Sequence, residues 1–178
     1  MQINSFIAVV DACVLAPMPV ADTLLRLAEE PCFYLPRWTE QILGEVNRTL
    51  TTKFGYTQVQ ADRRLGVMRD YFPEALVSDY EDLIPSMRNN PGDAHVLAAA
   101  VRCSAHAIIT DNKKHFPGNV LAQYSIECLS AGEFLEHQYH LDSDGFISLL
   151  SAQADDIGKP LSWLLRKLPR NVASLIKG

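Results

Sequence analysis

Two short runs of branched and aliphatic residues, each closed by an acid, frame this chain: Phe6-Ile7-Ala8-Val9-Val10-Asp11 and Ala107-Ile108-Ile109-Thr110-Asp111. A strand with one wet face alternates apolar and polar residues, whereas an unbroken apolar run suits a strand covered on both faces, as in a parallel α/β sheet. Sheets of that kind bind ligands beyond the carboxyl ends of their strands. A carboxylate placed there stands against an apolar scaffold and is costly to keep ionised without a partner. The pattern therefore predicts a positive group, such as a metal ion, facing these acids.

The 178 residues, 48% of them apolar, suffice for one well-buried core with an appendage and not for two full domains. No run approaches the roughly 20 apolar residues of a membrane span, and no basic region precedes an N-terminal apolar run as in a signal peptide. A soluble, cytoplasmic protein is expected. Cys13, Cys32, Cys103 and Cys128 are widely separated with no CxxC pair, so they read as reduced thiols. A formal charge of −5 argues against an unspecific nucleic-acid coat and still allows a local basic rim around an enzyme site.

Along the chain, Val20, Leu24, Leu27 and Ala28 repeat at helical spacing in a helix reaching about Glu30. Cys32 to Leu35 reads as a short strand stopped by Pro36. Thr39 then caps a helix whose stripe holds Ile42, Leu43, Val46, Leu50 and Phe54, with Gly55 ending it. Thr57 to Tyr71 reads as a helix, Ala75 to Val77 as a strand or extended link, and Ser86 to Gly92 as a loop. A helix from Asp93 to about Ser104 leads into the second acid-ended run, and Ser125 to Leu129 forms the last strand. Beyond Ala131 the pattern is helical, and the final twenty-one residues, from Gly158, contain no acid.

Among the acids, Asp93 precedes Val96, Leu97, Ala100 and Val101 at spacings that align it with the core-facing stripe of its helix. An N-cap or a helix-dipole charge is the plainer alternative. Glu45 sits at the margin of the apolar stripe of its own helix. In a parallel sheet Asp11, Glu45, Asp93 and Asp111 can converge on one edge. Carboxylates about 5 Å apart at an effective dielectric near 20 repel by about 3 kcal/mol per pair, so such a group binds cations or takes up protons. Hard oxygen donors without cysteine or a tight histidine pair favour Mg²⁺ or Mn²⁺ over zinc. His95, two residues after Asp93, projects to the other side of the helix and reads as structural, and His137 and His140 lack a third nitrogen or sulfur ligand nearby. Trp38 reads as packing at a helix start, with stacking on a base as the alternative.

Four segments then agree in order and spacing: Val10-Asp11-Ala12-Cys13-Val14-Leu15, Arg37-Trp38-Thr39-Glu40-Gln41-Ile42-Leu43-Gly44-Glu45-Val46, Asp93-Ala94-His95-Val96-Leu97-Ala98-Ala99-Ala100 and Ile108-Ile109-Thr110-Asp111-Asn112-Lys113-Lys114-His115-Phe116-Pro117. Over roughly residues 6–130 the chain resembles the PIN-domain nucleases, specifically the VapC-type toxin ribonucleases. Its tail, with Glu133-Phe134-Leu135 and Pro160-Leu161-Ser162, is similar to an extension carried by one subgroup. The resemblance implies a three-layer α/β/α PIN-like fold with a central parallel sheet plus C-terminal helices, residues 1–130 forming the nuclease domain and 131–178 a helical extension. It also implies Mg²⁺- or Mn²⁺-dependent endonucleolytic hydrolysis of RNA, a small antitoxin as partner and a homodimer; no membrane is expected as a partner, from the lack of an apolar span. Asp11, Glu45 and Asp93 match the acidic positions of the family. Thr110 matches the threonine of its Thr-x-Asp/Asn motif and Asn112 the acid or amide, which leaves Asp111 either on the metal or at the rim.

Carboxylate-held divalent ions can polarise a phosphate and lower the pKa of an attacking water. In that scheme Asp11 and Asp93 ligate the metal, Glu45 ligates it or orients the water, and Thr110 with Asn112 hydrogen-bonds at the metal or phosphate. Arg37, Lys113 and Lys114 meet the RNA backbone, where contacts orient without reading sequence, or are ordinary solvated charges. Two other readings compete. A signalling receiver domain needs a second acid beside Asp11, where Ala12 and Cys13 stand. A catalytically weak PIN-like module would serve binding or assembly instead.

Overall fold

The computed structural model describes residues 6–29 and 32–177, so the expected helix end at Glu30 lies outside the described residues. In chain order the elements are β1 (Ile7–Val10), α1 (Ala12–Leu15), α2 (Val20–Ala28), β2 (Leu35–Arg37), α3 (Glu40–Lys53), α4 (Gln58–Tyr71) and α5 (Ala94–Arg102). They continue with β3 (Ala107–Ile109), α6 (Gly118–Leu121), β4 (Glu127–Leu129), α7 (Ala131–Leu141), α8 (Ser143–Asp156), α9 (Leu161–Leu165) and α10 (Arg170–Lys177). The four strands form one parallel sheet in the order β2-β1-β3-β4, flanked by helices, which is the α/β architecture expected.

In the two central strands Ala8, Val9, Val10, Ala107, Ile108 and Ile109 are all fully buried. Because successive side chains point to opposite faces, helices must cover both sides of the sheet. Val9 pairs with Ile108 and Val10 with Ile109. The ladder runs one residue further, for Asp11 N–H donates to Ile109 O at 3.0 Å and Thr110 N–H to Leu129 O at 2.8 Å. From β1 the chain moves outward to β2 and from β3 outward to β4, so the strand order reverses between β1 and β3. That switch point opens a crevice beyond their carboxyl ends.

β2 departs from expectation: it lies at Leu35–Arg37, with Pro36 inside the strand opposite Ala8 rather than stopping it. The reason is its edge position. Leu35 N–H donates inward to Phe6 O at 2.8 Å, so the nitrogen of the next residue faces the outer edge, where a missing N–H costs no ladder bond. Trp38 shares that outward parity. It pairs in a lone parallel bridge with Leu76, which gives the expected extended link a short sheet-like contact after a helical turn at Pro73–Ala75. Trp38 itself is buried and meets Phe72 edge-on, a packing role.

Thr39 caps α3 by accepting from Ile42 N–H at 3.1 Å, and Ile42, Leu43, Val46 and Leu50 are fully buried. Phe54 leaves the expected stripe. The helix ends at Lys53, Gly55 adopts φ +70° and turns the chain, and the Phe54 ring stays 49% exposed. A Thr57–Gln60 capping box then starts α4.

From α4, Arg64 reaches the end of α1, donating to Ala16 O at 2.9 Å and Leu15 O at 2.6 Å. Burial pushes its guanidinium below the ordinary value. It is the side-chain clasp on the four-residue helix that follows Asp11. Charged donors contribute about 1.5–3 kcal/mol per hydrogen bond, so Arg64→Met, which keeps the apolar stem, is expected to cost about 2–3 kcal/mol. A lowered urea midpoint at unchanged slope would register that loss.

Helices α7 to α10 share the main core: Phe134, Phe146, Leu150, Leu164 and Val172 are fully buried in the same cluster as β1 and β3. Gln153 of α8 is buried and accepts from Thr23 Oγ1 of α2 at 2.8 Å. Among the described residues, no helix is long and apolar enough to cross a membrane.

Candidate active site

Asp11 occupies the N-cap of α1, directly beyond β1, and is only 4% exposed. Its Oδ1 accepts from Ala12 N–H at 2.7 Å, and its Oδ2 accepts from Thr110 Oγ1 at 2.7 Å and the Cys13 thiol at 3.3 Å. Burial pushes the Asp11 carboxyl above its ordinary range, hydrogen bonds from Thr110, Cys13 and Ala12 draw it back, and the charge of Asp93 raises it further. Cys13 is pushed up to about 12, by burial first and then by the Asp11 charge, so it serves as a thiol donor.

Thr110 is fully buried. Besides donating to Asp11, its Oγ1 accepts from Asn112 N–H at 3.0 Å. It therefore fixes both a carboxylate and the following loop, and it has no surface with which to meet nucleic acid, the contact expected from sequence.

Asp93 stands at the start of α5 but makes no side-chain cap. Its Oδ2 instead lies 2.7 Å from His115 Nδ1, and Asn112 Nδ2 lies 2.7 Å from the same ring nitrogen. The side chain of Glu45 is 27% exposed, and its Oε1 sits 3.0 Å from His95 Nε2. His95, read from sequence as structural, is buried, yet neither ring nitrogen has an aligned hydrogen-bond partner, so the pair is a close contact rather than a formed bond.

Asp11, Glu45, Asp93 and Asn112 line one cleft of about 400 Å³. Its other wall comes from α3, with Arg48, Thr49, Lys53 and the adjoining Phe54. These stand three, four and eight residues after Glu45, followed by the helix end, so helical spacing already carried the signal that sequence reading passed over. His115 was also missed, and no spacing rule pointed to it; a single 3₁₀ turn at Lys113–His115 swings it onto Asp93.

The remaining candidates stand apart from the cleft. Asp111 is exposed, and its Oδ1 accepts from Ala131 N–H at 3.0 Å at the start of α7, so of the two loop positions it is Asn112 that enters the cleft. Lys113 grips both oxygens of Glu133, at 2.8 and 2.6 Å, and holds that carboxyl down at about 2. Arg37 donates to Pro36 O at 2.9 Å, and Lys114 is exposed; neither lines the cleft.

Among the described residues, no three acid, histidine or cysteine side chains form a ready-made ion cage. The donor set nonetheless suits a hard cation: Asp93 Oδ1 and Glu45 Oε2 have no protein partner among the described residues, and Asp11 is fixed beside them. Mg²⁺ usually keeps several waters and takes one or two carboxylates rather than an all-protein cage.

Over 81 residues the chain is 41% identical to the curated protein named "Putative ribonuclease VapC50" of Mycobacterium tuberculosis, a match covering 46% of this chain and 48% of that protein. The chain thus spans about half the length of the curated relative it matches. No family model and no solved structure matches the chain. The likeness agrees with the resemblance read from the motif order and with the parallel sheet.

Proposed function

We propose that this protein is a divalent-metal-dependent endoribonuclease, the toxin of a toxin–antitoxin pair acting in the cytoplasm. The observation that carries the reading is the convergence of Asp11, Glu45, Asp93 and Asn112 on one cleft beyond β1 and β3. The ribonuclease name borne by the relative agrees with it.

Asp11, Asp93 and Glu45 would hold Mg²⁺ or Mn²⁺, which supplies charge to the phosphate and a more acidic attacking water. Thr110 keeps Asp11 in one orientation, and His115 does the same for Asp93, so that neither carboxylate must reorganise when RNA arrives. Glu45 is the most exposed of the three and is suited to hold or accept a proton from a water at the cleft mouth. The Asn112 amide stands where it can donate to a phosphate oxygen. An antitoxin that covers this acidic mouth, and a homodimer of the toxin, complete the proposal.

The test is cleavage of single-stranded RNA by purified protein with mapped product ends. Cleavage is expected to vanish under chelation and return with Mg²⁺ or Mn²⁺. Cleavage that persists in chelator, or none with either ion, overturns the reading; RNA binding without turnover would favour the assembly module.

A further inference from the structure

We infer that the C-terminal half of α3 and the residue beyond it form the strand-binding rim of this cleft, with Arg48 and Lys53 holding phosphates and Phe54 stacking on an unpaired base. The choice of RNA as the strand rests on the ribonuclease reading. The rim itself rests on charge, exposure and placement.

Three carboxylates on the cleft floor repel any polyanion that approaches, so a strand can enter only where cations stand beside them. Four basic side chains are committed to ion pairs away from the cleft: Arg26 to Asp22 and Asp156, Arg69 to Glu40, Arg102 to Asp82, Lys113 to Glu133. Arg48 and Lys53 line the acidic cleft, are exposed, and make no ion pair among the described residues. Five residues of helix set them about 7.5 Å apart along the axis, within reach of neighbouring phosphates for such long stems.

Phe54 adds the selectivity. Its backbone is fixed, since its N–H donates to Leu50 O at 3.3 Å and Gly55 turns the chain away, yet the ring is 49% exposed beside Lys53. A fixed aromatic face next to cations is how sequence-tolerant single-strand sites are built. In a duplex the base faces are already stacked, so the ring favours an unpaired strand.

The experiment measures binding of a twelve-nucleotide single-stranded RNA of mixed sequence to the full chain, in chelator, across a salt series. With Arg48→Gln and Lys53→Gln combined, the slope of log affinity against log salt is expected to fall by about 1.4, from about 0.7 per phosphate contact. Phe54→Leu is expected to weaken binding about tenfold at unchanged slope, with the duplex of the same sequence indifferent to it. All three side chains are exposed, and unchanged melting curves verify folding. A wild type that does not bind the single strand, or variants with unchanged affinity and slope, overturn the rim. Cleavage of the same RNA by wild type in Mg²⁺, read separately, decides the nuclease reading: intact cleavage with indifferent variants sinks the rim alone, and rim-dependent binding without cleavage sinks the nuclease alone.

Discussion

Asp11→Asn is expected to lose RNA cleavage by about 10²–10³-fold and yet to melt at a higher temperature than the wild type at neutral pH. On the proposed nuclease reading, the first effect follows from removing one charge from the set that would act on the phosphate, where several kcal/mol of stabilisation are at stake and each 1.36 kcal/mol is about tenfold in rate. The second follows from burial. Asp11 is 4% exposed and its pKa stands above the ordinary 3.8, because burial penalises the ionised form more than its hydrogen bonds favour it. A raised acid stabilises the fold fully below 3.8 and loses that contribution as pH rises through its folded pKa. At pH 7 the wild type therefore bears the cost of a buried acid whose ionised form is disfavoured, while asparagine keeps the shape and can still accept from Ala12 N–H. The gap in melting temperature should be widest near neutrality and close as pH falls below 3.8. Melting curves without divalent ions over that range check it. Adding Mg²⁺ should then raise the wild type more than the variant, since only a ligand that binds the native state shifts its unfolding. A variant less stable than the wild type at pH 7 would show that the charge is well accommodated after all.

The same burial of acids against an apolar scaffold explains which parts of this protein are legible in its sequence. β1 and β3 announce themselves because a doubly covered strand has no polar alternation, and their closing acids stand out against it. Asp93 is legible for the same reason, as an acid aligned with an apolar helical stripe. What escapes is whatever depends on the third dimension. Pro36 reads as a stop and becomes a strand residue because it faces an outer edge. Phe54 reads as core and stays half exposed because α3 ends at Lys53, one residue before the stripe does, and Gly55 turns the chain. Asp111 and Asn112 are adjacent, and only the direction of a short turn sends one to the backbone of α7 and the other to the cleft. His95 and His115 look alike as isolated histidines. Each proves to lie within 3.0 Å of a cleft carboxylate that sits far away in sequence.

Thr110→Val separates a positioning role from an RNA contact, and both its stability and its rate should fall. Valine fills nearly the same volume in this fully buried position but removes the hydroxyl that donates to Asp11 Oδ2 at 2.7 Å and accepts from Asn112 N–H at 3.0 Å. Leaving such groups unpaired costs about 1–3 kcal/mol, which a shifted urea midpoint would register. On the proposed nuclease reading, cleavage should drop about 10–100-fold, the usual penalty for losing a group that orients a ligating carboxylate. Since RNA cannot reach a buried hydroxyl, the drop should fall on kcat and leave KM close to that of the wild type. The pH profile gives an independent sign. The Thr110 hydrogen bond holds the Asp11 carboxyl down against burial, so without it that carboxyl rises further. The acidic limb of the activity profile should move to higher pH. Thr110→Ser, which restores the hydroxyl, should recover most of the stability, the rate and the profile. A rise in KM at unchanged stability would instead mean that Thr110 meets the RNA directly.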